Sequence, residues 1–277
     1  MFISCKGLSK RVGYFIPGNS LLKINNQFYL VFDWVEGEIR KDDEINNAHC
    51  EKIGEILAEI HKTDFSELDI ANDALENDRL IDWEYYFKRG KEEHLEWLEL
   101  FLKNYENLKR WNATANEASK MLSTTTVISL DPKNVMWNHN KPLLIDWESA
   151  GYINPMQDLI ETAIYWSKDE QGEVDKQRFS SFISGYKKKH GVIHANWEEV
   201  LATGLLGRLD WLEYNLKRSL RLECTDEEDQ KLGTDQVTTT LNEINLYADT
   251  IPKLSNWLNN EQGNVQINFK RRSRWQS

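Results

Sequence analysis

The sequence predicts an α+β fold: a mostly helical body that follows one small β-hairpin and is interrupted by a second. Three observations carry that prediction. Apolar residues recur at helical spacing through most of the chain beyond residue 48. Two short apolar runs flank Asn25-Asn26 near the start, and one β-branched stretch breaks the helical pattern between residues 124 and 148. At 277 residues the chain has room for one large domain or two small ones, and a hydrophobic fraction of 40% supports a packed core rather than disorder.

The elements follow in order. Residues 20–33 read as two strands joined at Asn25-Asn26, because asparagine tolerates the positive φ of a tight hairpin turn. The second strand runs into Trp34-Val-Glu-Gly37, where Gly37 ends it. Ile53, Leu57 and Ile60 place one apolar face on a helix spanning about residues 48–62. Leu95, Leu98, Leu102, Tyr105 and Leu108 mark a second, longer helix. Asn196 with Glu199 is a capping-box pattern opening a helix that carries Val200, Leu201, Leu205, Leu209, Leu212 and Leu216. Val237, Leu241, Ile244, Ala248 and Ile251 stripe a last helix, which Pro252 should kink or end.

Composition excludes several functions. Lys plus Arg total 34 and Asp plus Glu 45, a formal net charge of −11, which argues against nucleic-acid binding. The one basic cluster, Lys270-Arg271-Arg272-Ser273-Arg274, reads as a solvated end. No apolar run approaches the ~20 residues of a membrane helix, and Lys6, Lys10 and Arg11 break up any secretory core segment in residues 1–18. Cys5, Cys50 and Cys224 match no zinc spacing and no disulfide framework, so a cytoplasmic location is expected.

The interrupting stretch carries the chemistry. Residues 124–130 are β-branched and apolar; Asp131-Pro-Lys-Asn134, Val135-Met-Trp137, a polar turn from Asn138 to Lys141, and Leu143-Leu-Ile-Asp146-Trp-Glu148 follow. Asn134 and Asp146 sit twelve residues apart, one entering a hairpin and one leaving it. An amide oxygen beside a carboxylate is hard oxygen ligation suited to Mg²⁺ and phosphate oxygens. The alternative from spacing alone is that each residue caps its own turn.

Leu130-Asp-Pro-Lys-Asn-Val-Met-Trp137, with Leu144-Ile-Asp-Trp-Glu148, resembles the catalytic loop and metal-binding segment of the aminoglycoside phosphotransferase family, which is similar to choline kinases and to the large lobe of protein kinases. Phe32-Asp-Trp-Val-Glu-Gly37 resembles its interlobe hinge, Leu57-Ala-Glu-Ile-His61 the helix after the hinge, and Pro155-Met-Gln-Asp-Leu159 its downstream segment. The resemblance spans roughly residue 20 to the last helix. It implies a protein kinase-like fold, with a hairpin remnant of the N-terminal lobe over 1–37, a helical C-terminal lobe over 38–260 and a polar basic tail over 261–277. It further implies that Asn134 and Asp146 hold Mg²⁺ on ATP, that backbone from Asp33 through Val35 to Glu36 holds the adenine, and that Asp158 braces the loop.

Two departures qualify this. The family's loop reads His-x-Asp, four residues, then Asn, with the Asp as general base. In this chain those positions are Val127 and Ser129. A serine hydroxyl is no base near neutral pH, and loss of a positioned base costs ~10²–10⁴-fold in rate. Asp131 substitutes only if the loop shifts register; otherwise it forms the turn before Pro132. Only about thirty residues precede the hinge-like stretch, too few for a glycine-rich loop, a strand lysine and a helix glutamate. Gly7, Gly13 and Gly18 have the wrong spacing to cradle phosphates, and Lys23 lies in the hairpin itself.

The expected activity is therefore an ATP- and Mg²⁺-dependent phosphotransfer to a small-molecule hydroxyl, aminoglycoside- or choline-like, weak or absent in this chain. The alternative is a catalytically dead remnant or binding scaffold, its shortened lobe favouring self-association. The tryptophans of the helical stretches, Trp83, Trp97, Trp111, Trp166, Trp197, Trp211 and Trp257, read first as packing, and His61 as a packed, hydrogen-bonded helix-end residue. His49, His94, His139, His190 and His194 show no ligand spacing.

Overall fold

A computed structural model describes residues 22–24, 27–29, 34, 36–64, 80–122, 125–127, 134–145 and 151–273, with side chains over 34, 36–64, 80–122, 134–145 and 153–260. The N-terminal hairpin forms as the sequence predicts. Strands β1 (Leu22–Ile24) and β2 (Gln27–Tyr29) run antiparallel with Ile24 opposite Gln27, which leaves Asn25-Asn26 as a two-residue connection.

Helix α1 (Asn47–His61) begins where the Asn46 side chain accepts from the backbone N–H of Ala48 and His49, at 3.0 and 3.1 Å. Ile53, Leu57 and Ile60 are all fully buried, so the sequence stripe is the real one. Helices α2 (Trp83–Glu92) and α3 (Leu98–Met121) follow. On α3 the buried face differs from the predicted stripe: Leu102 is exposed while Phe101, Asn104, Leu108 and Asn112 turn inward. The asparagines are why apolar spacing misled, since their polarity is satisfied inside. Asn104 Nδ2 donates to Leu100 O at 2.9 Å, and Asn112 Oδ1 accepts from the Ile81 N–H at 2.8 Å, which fixes the entry to α2.

The interruption resolves into two small sheets. Strand β4 (Thr125–Val127) pairs with β7 (Gly151–Ile153), while β5 (Val135–Asn138) pairs with β6 (Lys141–Leu144) around a turn in which His139 has φ 56°. The short strand β3 (Glu38–Ile39) adds antiparallel to β5, with Glu38 opposite Trp137. Neither the β3–β5 nor the β4–β7 pairing is local in sequence. Helix α4 (Pro155–Ser167) starts directly after β7, capped by Asn154 Oδ1 on the N–H groups of Met156 and Gln157.

Three helices complete the body: α5 (Lys176–His190), α6 (Trp197–Ser219) and α7 (Glu227–Ser273). Two expectations are corrected here. Asn196 precedes α6 but makes no side-chain cap bond, so the capping-box pattern is not realised. The last helix, expected to kink or end at Pro252, does not end there but runs through it to Ser273, past the start of the predicted tail. Proline removes one N–H from the ladder. The buried Leu254 and Leu258 hold the following turn to the core and offset that loss.

α1 and α5 cross at closest approach through two glycines. A Cβ on Gly54 would stand 3.0 Å from Tyr186 N and 3.1 Å from the Phe182 carbonyl carbon, and one on Gly185 would stand 2.8 and 3.0 Å from the Glu51 carbonyl carbon and Cα. Lys188 pairs with Glu51, and Lys189 with Glu59 at 2.9 Å, along the rim of this crossing. Most tryptophans pack as expected, with Trp83, Trp97, Trp166 and Trp197 buried; Trp211 is the exception, exposed beside Tyr214 with ring centroids 5.3 Å apart.

Candidate active site

Of the predicted site residues, Asn134 and Glu36 fall among those described. Asp33, Val35, Ser129, Asp131 and Asp146 lie outside the described residues. Asn134 stands at the head of β5, half-buried, and its carbonyl oxygen accepts from the Ile145 N–H at 2.9 Å. That bond extends the β5–β6 register by one pair, so the residue preceding Asp146 lies directly opposite Asn134. Glu36 is exposed, in a stretch that also leaves 89% of Trp34 open. Gly37 then passes close over β5: a Cβ there would stand 3.0 Å from the Trp137 carbonyl oxygen.

A buried polar chain links α1, α4 and α5. His61 Nε2 is 2.9 Å from Asp158 Oδ2, and His61 Nδ1 is 2.8 Å from the Tyr186 hydroxyl. Both side chains are almost fully out of solvent. The arrangement that satisfies every atom has the His61 Nε2–H donating to the carboxylate and the Tyr186 O–H donating to Nδ1. Thr162 Oγ1 adds a long contact of 3.5 Å to Asp158 Oδ1. Burial pushes the Asp158 carboxyl up from its ordinary value, opposed by the His61 bond; burial likewise pushes the Tyr186 phenol up. An aspartate, a histidine and a hydroxyl in line suggest nucleophile activation. Tyr186 is fully buried, however, so no substrate reaches its oxygen, and the chain is a brace among α1, α4 and α5.

At the other end of α1, His49 packs on Trp137 with ring centroids 4.6 Å apart. Its Nδ1 accepts from the Asn46 N–H at 3.3 Å. Burial, and then the Arg40 cation, hold the His49 pKa below its ordinary value, which keeps the ring a neutral acceptor. Trp137 also meets Trp166 of α4 edge-on at 6.2 Å.

The sequence anticipated His61 as a hydrogen-bonded helix-end residue, but not its partner Tyr186 or the His49–Trp137 contact; the loop that Asp158 is expected to brace lies outside the described residues. Tyr186 lies 125 residues from His61, and no local pattern signals such a pairing. His49 did carry a signal, three residues after the helix-capping Asn46. Among the described residues no group of three or more His, Cys, Asp or Glu side chains is placed to hold a metal ion.

Comparison with known proteins agrees with this frame. A family model described as the phosphotransferase enzyme family matches residues 12–191. A search of curated protein sequences finds no match. Among solved structures, a spectinomycin phosphotransferase in complex with ADP and spectinomycin superposes with a TM-score of 0.62 at 11% identity, covering 88% of this chain and 78% of that one. An aminoglycoside phosphotransferase from Alicyclobacillus acidocaldarius gives 0.61 at 13% identity, over 90% and 78%. A choline kinase from Cryptosporidium parvum gives 0.50 at 14%, over 86% and 76%. At such identities the superpositions establish the fold, and the family match covers well over half of the sequence. The chain belongs to the phosphotransferase enzyme family and has its protein kinase-like fold.

Proposed function

We propose that this protein binds ATP with Mg²⁺ and transfers the γ-phosphoryl group, slowly, to a hydroxyl of a small molecule of aminoglycoside or choline type. One observation supports the site above the others: the Ile145 N–H to Asn134 O bond sets Asn134 across the hairpin from the residue before Asp146. An amide oxygen and a carboxylate are a hard-oxygen pair that fits Mg²⁺. Asn134 and Asp146 would hold the ion, which supplies charge neutralisation on the phosphates. The nucleotide in one similar structure, ADP, belongs to the spectinomycin phosphotransferase, and it supports the same ligand class here.

The chain's own residues would then do the following. Backbone from Asp33 to Glu36 holds the adenine beside Gly37, Asn134 orients the phosphates, and the His61–Asp158–Tyr186 chain holds α1, α4 and α5 together. Ser129 takes the position of the proton acceptor and leaves the acceptor hydroxyl without a base, so turnover is slow. A second reading, a scaffold that binds no nucleotide, is favoured by the same Ser129 together with Val127.

Calorimetric titration of the purified chain with ATP separates the two readings. Mg²⁺-dependent binding that Asp146→Ala weakens by tenfold or so supports the first, given the loss of one charged ligand oxygen. Binding unchanged by Mg²⁺ or by Asp146→Ala overturns it. If Ser129→Asp then raises the rate of ADP release in the presence of an acceptor, Ser129 is the reason for slow turnover.

A further inference from the structure

We propose that Lys168 is a nucleophilic amine that takes up acyl groups from small acyl phosphates, with the Arg208 guanidinium as the docking cation for the phosphate. The site lies among α4, α6 and α7 and shares no residue with the proposed nucleotide site. Lys168 caps the C-terminus of α4 with extended backbone. A β-bridge to Val174 holds it there, together with Arg178 of α5, whose Nη1 donates to the Lys168 carbonyl at 3.1 Å and to the Asp42 carbonyl at 3.0 Å. The Lys168 side chain is half-buried, and its Nζ lies 5.2 Å from the centre of the Tyr165 ring, which is 43% exposed. The amine is therefore fixed at its base and reachable at its tip.

Its charged surroundings set it apart from other lysines. Among the described residues no carboxylate pairs with Nζ. Lys88, Lys188, Lys189 and Lys217 are each bonded to a glutamate, and those bonds hold their ammonium groups above the ordinary range. At Lys168 the direction is opposite. Burial comes first and the Arg208 cation second, and together they outweigh the attraction of Glu243, Glu161 and Asp42. More of this lysine is then neutral amine near pH 7, the form that attacks a carbonyl carbon. Arg208 completes the site. Its Nη1 is committed to Glu161 and the Gly204 carbonyl, its face stacks 3.8 Å from the centre of the Tyr247 ring, and 16% of the side chain stays open. Nε and Nη2 bond no described residue, which leaves one edge of the guanidinium as a fork of donors suited to a phosphate. In the reaction the Lys168 Nζ lone pair forms an N–C bond to the acyl carbon. The C–O bond to phosphate breaks, its electron pair leaves on inorganic phosphate, and the surplus N–H proton passes to solvent. The product is a neutral amide that no longer repels Arg208.

Incubation of the full native chain with acetyl phosphate, with acetylation at each lysine followed by peptide mass spectrometry, tests the proposal. Near pH 7 the rate at Lys168 should exceed that at Lys88 by about tenfold, the gain in neutral amine that one unit of pKa difference gives. Lys88 is the stringent reference, because it is 65% exposed but paired with Glu84 at 2.8 Å. Lys168 should also lead the exposed Lys231, which pairs with no described residue. Raising the pH toward the ordinary lysine value near ~10.4 should erase the lead, since every amine is then largely neutral. Unfolding the chain in urea should erase it too. No lead at all, or a lead that persists in urea or at high pH, overturns the proposal, because accessibility or local sequence is then the cause.

Two further arms separate the nucleophile from the docking cation. Lys168→Arg keeps a cation at the position, so it should melt with wild-type protein, lose the fast-labelled peptide and leave the rate at Lys231 unchanged. A fast-labelled peptide that survives this substitution assigns the reaction to another residue and overturns the proposal. Inorganic phosphate should slow labelling at Lys168 several-fold and leave Lys231 unaffected, by occupying the Arg208 edge. An uncharged acyl ester should show a smaller lead at Lys168 than acetyl phosphate does, because it gains nothing from the guanidinium. Equal slowing at both lysines, or an equal lead with the uncharged donor, overturns the docking role of Arg208. None of these readouts involves ATP, so they stand or fall apart from the proposed function.

Discussion

Placing a single methyl group at the α1–α5 crossing should unseat the helix pair. In Gly54→Ala the new Cβ meets Tyr186 N at 3.0 Å and the Phe182 carbonyl, and in Gly185→Ala it meets the carbonyl carbon and Cα of Glu51 at 2.8 and 3.0 Å. Ordinary nonbonded contact lies near ~3.5 Å, so the helix axes must part by roughly 0.5–1 Å. The obstructing atoms are backbone in both cases, and no side-chain rotation relieves them. Overpacking of this kind falls at the upper end of the ~1–3 kcal/mol range, while alanine returns ~1 kcal/mol of helix propensity. The net loss is about 2 kcal/mol, or a fall in Tm of about 4–8 °C for a chain of this size. Thermal melting followed by circular dichroism measures it. Gly207→Ala on α6 is the control, because nothing lies within 4 Å of its added Cβ, and it should raise stability by up to ~1 kcal/mol. The double variant should cost less than the sum of the singles, since helices already parted by one methyl accommodate the other. Gly54→Ala and Gly185→Ala proteins as stable as wild type, or a fully additive double variant, would refute the reasoning.

Two further outcomes are expected. Arg218 Nε donates to Asp229 Oδ1 at 2.9 Å and the Thr225 N–H to Oδ2 at 3.0 Å, and the guanidinium holds that carboxyl below its usual range. Its stabilisation is complete above the ordinary value near ~3.9 and drains away as pH falls through the lower native one. Asp229→Asn should therefore lose stability at pH 7, with the gap to wild type narrowing as pH falls toward 2, and urea midpoints showing the same gap at both would contradict this. Arg208 bonds both carboxylate oxygens of Glu161, at 3.1 and 3.0 Å, and stacks 3.8 Å from the centre of the Tyr247 ring. Arg208→Met should cost about 3 kcal/mol by leaving Glu161 unpaired, with Glu161→Gln added to it recovering part of the loss. Arg208→Lys should not restore wild-type stability, because the planar stack goes with the guanidinium; midpoints equal to wild type would count against the stacking role.

Legibility from sequence tracked how local each feature was. The α1 stripe and both hairpins follow from spacing within fifteen residues, and the structure has them at the expected places. The family resemblance was legible because its signature is a contiguous loop and hairpin. The buried face of α3 was not, since Asn104, Asn112 and Asn116 occupy inward positions that apolar spacing assigns to solvent. The bonds of Asn104 to Leu100 O and of Asn112 to Ile81 N make these two core residues, and such partners are known only once the chain has folded. Of the two outcomes Pro252 allows, a kink or an end, the end is excluded for a related reason: its local penalty is real, but burial of Leu254 and Leu258 outweighs it. The candidate site divided likewise. Asp158 and His61 were recognisable by motif, whereas Tyr186 meets His61, and Trp137 meets His49, across more than eighty residues.

The α1–α5 crossing also has a consequence for synthesis. Glu51 and Lys188 are separated by 137 residues. At about 5–20 residues per second, α1 waits roughly 7–27 s on the ribosome before its partner helix is made. Throughout that interval Ile53, Leu57 and Ile60 have no α5 to cover them, and isolated helices of this length are marginal in water. By contrast α6 and α7 are neighbours in sequence and can pair as soon as they emerge. A nascent chain paused before residue 176 is thus the form of this protein most dependent on a chaperone, and completion of α5 is the event that releases it.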